Sequence, residues 1–573
     1  MNTEASSKAL AELADEYWAY ECRETPLHAI LAGAPPPGSA VFRESVADHD
    51  RRALGASAML AKLDEVDGAG LSPQERATAR LLRHELELVH ARHAAAAHLR
   101  PSLFPAGLDF TSVFWANSTS LADDGEAALY LERLAGLPGA LLDIRGALAQ
   151  GAAEGMFYPK AVLAAASANT RSMLEAAPEA TPWMGPFLRS TRNGDEIRRY
   201  AGRAHSLIRE ELLPALAEYA RFLDGPLMET ARDSLACTDA PAGAALYEVL
   251  VRQFTSTGMT PESIHRLGLE EIERIESEVA DVAAQAGHAG DVAGYRAFLT
   301  ADAQFVAPSA DVLRQELESL CKRIDGHIPR YFKRIPRAPY GVNTMPEGLS
   351  ARMPPAYAQP APADGASAGV LWASGLPAKC PRYLHPALAL HEAWPGHLMH
   401  IALMQESEGL PAFRRHGAVK YTACIEGWAL YCETLGVEMG VYATPHQHYG
   451  RLEMELWRAV RLVVDTGIHW YGWSRDRAIA YMRRYLTLPL DAIEGEVDRY
   501  AALPAQALAY QIGNLEMRAL RRRAEQALGA AFGIRDFHEV VMGSGAVSLP
   551  VMSDLVDAWI AGRQPVGGDA HAA

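Results

Sequence analysis

The chain has 573 residues, of which 49% are hydrophobic and 22% charged, and its formal net charge is −16. That is the composition of a folded globular protein, and the negative excess argues against nucleic acid or an anionic membrane surface as a partner. No run approaches the roughly 18 apolar residues that a membrane-spanning helix needs.

In chain order, residues 5–33 read as an amphipathic helix. Its start carries Glu4, Glu12, Asp15 and Glu16 and lacks the apolar core of a signal peptide, so a cytoplasmic protein is expected. Gly33 and the breaker Ala34-Pro35-Pro36-Pro37-Gly38 should end it. Two long helices are expected between Asp48 and Arg100. The second opens on Ser72-Pro73-Gln74-Glu75, an N-cap with proline at N1 and glutamate at N3. The stretch 103–117 is aromatic and reads as loop. Helices are then expected at 124–135, 137–154, 158–176 and 194–224, and Thr260-Pro261-Glu262-Ser263 caps another running to about Ala286. No fixed period recurs, so a solenoid is not expected.

The character changes between Pro329 and Pro381, where prolines are dense. Gln359 to Ala368 reads as loop, and the apolar Gly369-Val370-Leu371-Trp372-Ala373-Ser374 reads as a strand. Helices resume from Ala387 to Ala527, and the tail 565–573 should be disordered. We therefore expect one domain over residues 1–573, with a helical N-terminal lobe (1–328) and a catalytic lobe (329–564). Its class is mainly α, with a small sheet edge beside the helix that carries the chemistry. The six cysteines form no Cys-x-x-Cys pair and are expected to be reduced thiols.

That chemistry centres on Leu390-His391-Glu392-Ala393-Trp394-Pro395-Gly396-His397-Leu398-Met399-His400. In the His-Glu-x-x-His motif two histidines at i and i+4 hold Zn²⁺ from one helix face while the glutamate activates water. Here the second histidine comes at i+6. At ~100° per residue it points about 120° away on a continuous helix, too far to share an ion. The helix must break between the two, and Pro395 and Gly396 supply the means. Downstream, Glu426 and Glu433 lie on one stripe of an otherwise apolar helix, where carboxylates are costly to bury without a cation or hydrogen bonds.

These segments together resemble a known family, the bacterial domain-of-unknown-function family 885. Its hallmarks are His-Glu-x-x-Pro-Gly-His and Glu-Gly-Trp-Ala-x-Tyr, here at 391–397 and 426–431. The resemblance extends from Glu16-Tyr17-Trp18 through Asp465-Thr466-Gly467-Ile468-His469 and Tyr510-Gln511-Ile512-Gly513 to Phe537-His538. The family is grouped with zincin metallopeptidases. That implies a zincin-like helical metallohydrolase with one Zn²⁺ per chain, held by His391, His397 and Glu426. Many members carry Gln where this chain has His400, which leaves a third imidazole near the site. The resemblance also implies that the 369–374 strand, with Trp372, is an edge that pairs with an extended substrate.

Around that centre, Glu392 is the natural general base, beside a ligand without being one. Glu433 is expected to orient a neighbouring group. Asp465 and His469, at i and i+4, read as a carboxylate orienting an imidazole that stabilises the oxyanion, and Tyr510 is a second candidate for that task. Arg499 is the candidate anchor for a substrate carboxylate. The expected reaction is hydrolysis of an amide, most simply a peptide bond in a short peptide. The alternatives are an amidase or deacylase of an unusual amino-acid conjugate, or a non-catalytic helical metal-binding scaffold. No nucleic-acid or membrane partner is expected, and oligomeric state is not legible.

Overall fold

The computed structural model describes residues 3–31, 34, 42–345, 350, 353–363, 365 and 367–563. The Ala34–Gly38 breaker (Ala34 excepted) and the 565–573 tail lie outside them.

The helix at the centre of the molecule is Pro445–His469. Thr444 caps it, accepting from the Gln447 N–H with proline at N1, and every residue from Tyr449 to His469 is buried. A helix buried on all sides is a core element. Its charged residues must therefore find partners inside the protein, and Glu455 takes three guanidiniums, from Arg274, Arg451 and Arg518. The Pro261–Gln285 helix, capped by Thr260 as its sequence predicts, lies along this central helix.

One apolar core runs without interruption from Leu10 in the first helix to Ile560 in the last. Polar staples cross it as well. Lys420 reaches back to Glu21 and Glu85 at 3.0 and 2.9 Å. Arg414 donates to Thr78 Oγ1 at 3.0 Å and to the Ser544 carbonyl at 2.5 Å.

The chain is mainly helical with a small sheet of three strands: β1 (Tyr340–Thr344), β2 (Ala356–Gln359) and β3 (Gly369–Ala373). The order is β1-β3-β2, with β1 parallel and β2 antiparallel to β3. This corrects the expectation that 369–374 is an edge. β3 is the central strand, and 356–359, whose last residue falls in the stretch expected as loop, is an edge strand beside the histidine-bearing helices. Gly369 packs on Leu398, so residues 369, 371 and 373 face those helices and Trp372 lies on the opposite face. There its indole donates to Gln359 Oε1 at 2.8 Å.

Elsewhere the departures are local. The expected helix 5–33 is two, Thr3–Glu24 and Pro26–Leu31, parted where Pro26 cannot donate to the ladder. The aromatic stretch expected as loop holds the helix Leu108–Ser118. The pair expected at 124–135 and 137–154 is one helix, Asp124–Ala153, which carries Pro138 inside. The 194–224 helix is present but loosens into wider turns at Ile208–Leu212 and Leu223–Leu227.

Candidate metal centre

The His-Glu-x-x-Pro-Gly-His segment is two helices meeting at a sharp turn. The first, His385–Glu392, carries His391 in its last turn, and the second, His397–Gln405, begins at the other histidine. Residues 393–396 fold back over the end of the first helix through a cis Trp394–Pro395 peptide. A Cβ at Gly396 would collide with the backbone oxygens of Leu390 and His391, so only glycine fits this close return. The two imidazoles thereby face each other edge to face, 4.7 Å between ring centres at 88°.

The Glu-Gly-Trp segment closes the site from the helix Thr422–Glu438. Trp428 Nε1 donates to the Pro395 carbonyl at 2.9 Å, which pins the turn between the histidines. Gly427 lets this helix press against Ala509–Leu528 at Gly513. A Cβ on either glycine would fall within the other helix's backbone. Both glycines stand in motifs read from the sequence, and their shared role is this crossing.

The result is a cluster of His391, His397 and Glu426 whose ligating atoms lie within 4.8 Å of one another. Glu426 Oε2 is 3.4 Å from Nε2 of His391 and 3.4 Å from Nε2 of His397. It is buried and has no hydrogen-bond partner. Those separations are long for charge-assisted hydrogen bonds. They are instead close to the ~3.3–3.4 Å edge of a tetrahedron whose ligands stand 2.0–2.1 Å from a central Zn²⁺. The donor set, two imidazole nitrogens and a carboxylate oxygen, is also the one zinc takes at sites with an open position. The residues fit the ion.

On its other side His391 is fixed by Glu433, whose Oε1 lies 2.8 Å from Nδ1. Burial disfavours charge on His391, but Glu426 and Glu433 outweigh it and raise its pKa to about 9. Glu426 is held well below the usual carboxylate range: burial opposes this, and the two imidazoles prevail. Glu392 is 8% exposed, and burial raises its pKa, with the imidazoles and Arg458 pulling the other way. Its carboxylate has no hydrogen-bond partner among the described residues. His400 stands outside the cluster. Its ring is wholly buried against Trp428, neither nitrogen has a partner, and burial together with His397 lowers its pKa to about 3.

Tyr510 opens the Ala509–Leu528 helix close enough to Glu426 that the carboxylate raises its pKa, after the larger effect of burial. Arg461 covers one face of its ring at 4.4 Å, and Arg458 lies 5.9 Å away. The structure does not bring the other expected residues to the cluster. His469 accepts from the Cys237 N–H at 3.2 Å and donates to the Tyr500 carbonyl at 2.9 Å, so both nitrogens are spent on backbone. Asp465 does not orient it. That carboxylate takes the Tyr247 hydroxyl at 2.7 Å and the Ala505 N–H at 3.1 Å. Burial lowers the His469 pKa to about 4. Arg499 is likewise committed, to Glu496 at 3.0 Å and to Gln506 Oε1 at 2.6 Å, so it is not free to anchor a carboxylate.

The sequence reading missed Arg458. It is 5% exposed, and its Nη1 meets only the carbonyl and sulfur of Met454, at 3.2 Å each. Its Nε is buried without a partner. Burial lowers its pKa, with Glu433, Tyr510 and Glu426 opposing, so a fixed positive charge stands beside the cluster with no ion-pair partner among the described residues. The sequence alone does not single it out: Arg458 shares its helix with Arg451, Glu453, Glu455 and Arg461, which read as a solvated face until the helix is seen to be buried all round.

Comparison with known proteins places the chain in a family. Residues 26–556 match the family described as bacterial protein of unknown function (DUF885), and the chain belongs to it. No curated protein matches significantly. Among solved structures, a putative lipoprotein from Colwellia psychrerythraea superposes with a TM-score of 0.89 at 24% identity, over 97% of this chain and 99% of that one. A putative lipoprotein of unknown function from Shewanella oneidensis gives 0.73 at 17%, over 95% and 99%. At such identities the likeness speaks for the fold. No helix among the described residues is long and apolar enough to cross a membrane.

Proposed function

We propose that this protein is a zincin-like, zinc-dependent hydrolase that cleaves an amide bond, in the first instance the peptide bond of a short peptide. The observation that carries the reading is the Glu426 carboxylate oxygen, buried, unbonded and 3.4 Å from each of two imidazole nitrogens. Bound there, Zn²⁺ would supply Lewis-acid polarisation of a carbonyl and a lowered pKa for a coordinated water.

The chain's own residues divide the rest of the work. Glu433 accepts from Nδ1 of His391 and so presents the Nε2 lone pair to the site. Glu392 takes the proton of the attacking water and returns it to the leaving amine. Burial and the absence of any hydrogen bond leave its carboxylate basic enough for both. Tyr510 faces the developing negative charge with its hydroxyl, and Arg458 adds a fixed positive charge beside it. An extended substrate adds to β2, which has β3 on one side only. The six free cysteines favour a reducing compartment, the cytoplasm. The description as putative lipoproteins belongs to the two solved neighbours, and cell fractionation decides the matter for this one.

The test is metal analysis followed by turnover. Purified protein should hold about one zinc per chain. The zinc-loaded form should hydrolyse di- or tripeptides faster than N-acyl amino acids. Zinc-loaded protein that cleaves no amide in either panel would overturn the proposal, and faster cleavage of the N-acyl amino acids would move it to a deacylase.

A further inference from the structure

Sharing no residue with the metal cluster, a partly enclosed cavity of about 170 Å³ lies elsewhere in the molecule. One part of its wall is apolar: Val162, Leu246, Leu250 and Phe254. The lining also includes three arginines, Arg92, Arg100 and Arg232. Among the described residues none of the three has a carboxylate within ion-pair distance. Their hydrogen bonds go to neutral oxygens. Arg92 donates to Gln253 Oε1 at 2.6 Å, Arg232 to the Phe157 carbonyl at 2.8 Å and to the Ser234 carbonyl, and Arg100 to the Pro241 carbonyl. Nε and Nη1 of Arg100 are buried with no partner at all.

Arginine is seldom withdrawn from water without an anion beside it, because burial costs it hydration that neutral acceptors only partly replace. Burial does depress all three pKa values, with Glu44 opposing at Arg92 and Asp239 at Arg232, and Arg100 adds to the depression at Arg232, which places those two charges in each other's field. The cavity therefore has arginines without ion-pair partners among the described residues, unspent donors on Arg100, and apolar side chains in the same lining. We propose that it is a binding site for a small organic monocarboxylate. The carboxylate would meet the guanidinium donors, and an apolar body would fill the Val162–Leu246–Phe254 side. Guanidinium matches carboxylate geometry two donors to two oxygens. An inorganic anion would leave the apolar wall uncovered. Volume sets the size of the body: a cavity of about 150 Å³ accommodates benzene, so a single ring or a chain of about six carbons fits.

The proposal stands apart from the hydrolase reading, since it involves none of the same residues and its readout is not turnover. Thermal melts and calorimetric titrations of the full chain with benzoate, hexanoate, benzamide and inorganic phosphate test it, in zinc-free and zinc-loaded protein alike. Benzoate or hexanoate should raise the melting temperature in both forms, and uncharged benzamide should not. Arg100→Met should weaken that binding roughly tenfold or more, the effect of losing a hydrogen bond to a charged group. Val162→Phe fills the cavity without touching the charges, and should block the ligand even if removing Arg100 perturbs folding. Binding by phosphate alone, equal shifts with benzamide, no shift with either acid at millimolar concentration, or undiminished carboxylate binding in Val162→Phe would each overturn the assignment.

Discussion

Two histidine–carboxylate groups are buried in the same core, and their bonding separates them. At His469 every polar atom is answered. Cys237 and Tyr500 take the imidazole, while Tyr247 and Ala505 take the neighbouring Asp465. At His391 and His397 the bonding stops short: Glu426 Oε2 and His397 Nδ1 are buried without partners, and Glu392 has none either. Both groups look alike in sequence, as titratable pairs on apolar helices. Satisfied polar groups join elements of the core, whereas convergent unsatisfied ones imply something further to bind.

The contrast breaks most easily at the metal. Glu426→Gln or His397→Ala should all but abolish zinc binding in a chelator competition, while His469→Gln keeps a full equivalent. If His469→Gln loses zinc as well, the two groups are one site and the distinction fails. Next in size is chemistry without metal loss. Glu392→Gln should retain zinc and lower turnover by roughly 10² or more, and full activity in that variant would remove its role as base. Glu433→Gln should cost about 10–100-fold in zinc affinity or activity, through a loosened His391. A loss as complete as that of Glu426→Gln would put Glu433 among the ligands instead.

The smallest effect on zinc belongs to Asp465→Asn, whose affinity should stay within about threefold of the parent. Its signature is a pH dependence of stability. Burial raises the Asp465 pKa to about 7, whereas an unfolded aspartate titrates near its ordinary value of about 3.9. The native state therefore binds this proton more tightly. Its stability falls as pH rises from about 4 to about 7, by something on the order of a few kcal/mol, and is level above that. Urea melts across this range should show a slope in the parent that Asp465→Asn lacks. Equal slopes would mean that the carboxylate stays ionised.

Local signals were the legible ones. The Ser72 and Thr260 caps form the bonds their sequences predict, because a cap is decided within four residues. The histidine segment was readable for the same reason, as proline and glycine dictate the break between His391 and His397. What failed depended on distant chain. An i, i+4 spacing brought Asp465 near His469, but segments at 237, 247, 500 and 505 chose the partners. Arg458 carries meaning only once the Pro445–His469 helix is seen to be buried on every side. The rank of 369–374 within its sheet was hidden because β1 and β2 sit among prolines that suppress the strand pattern.

The bond from Trp428 to the Pro395 carbonyl, and the seating of Gly427 on Gly513, have a consequence for inheritance. The carboxylate is aimed by the turn between the histidines and by a helix some eighty residues downstream. Blocks 390–397, 423–433 and 509–513 therefore form a single cassette, though they are scattered along the chain. A chimera drawing them from divergent relatives would keep His391, His397 and Glu426 yet misdirect the carboxylate. Productive recombination would have to exchange the three blocks together.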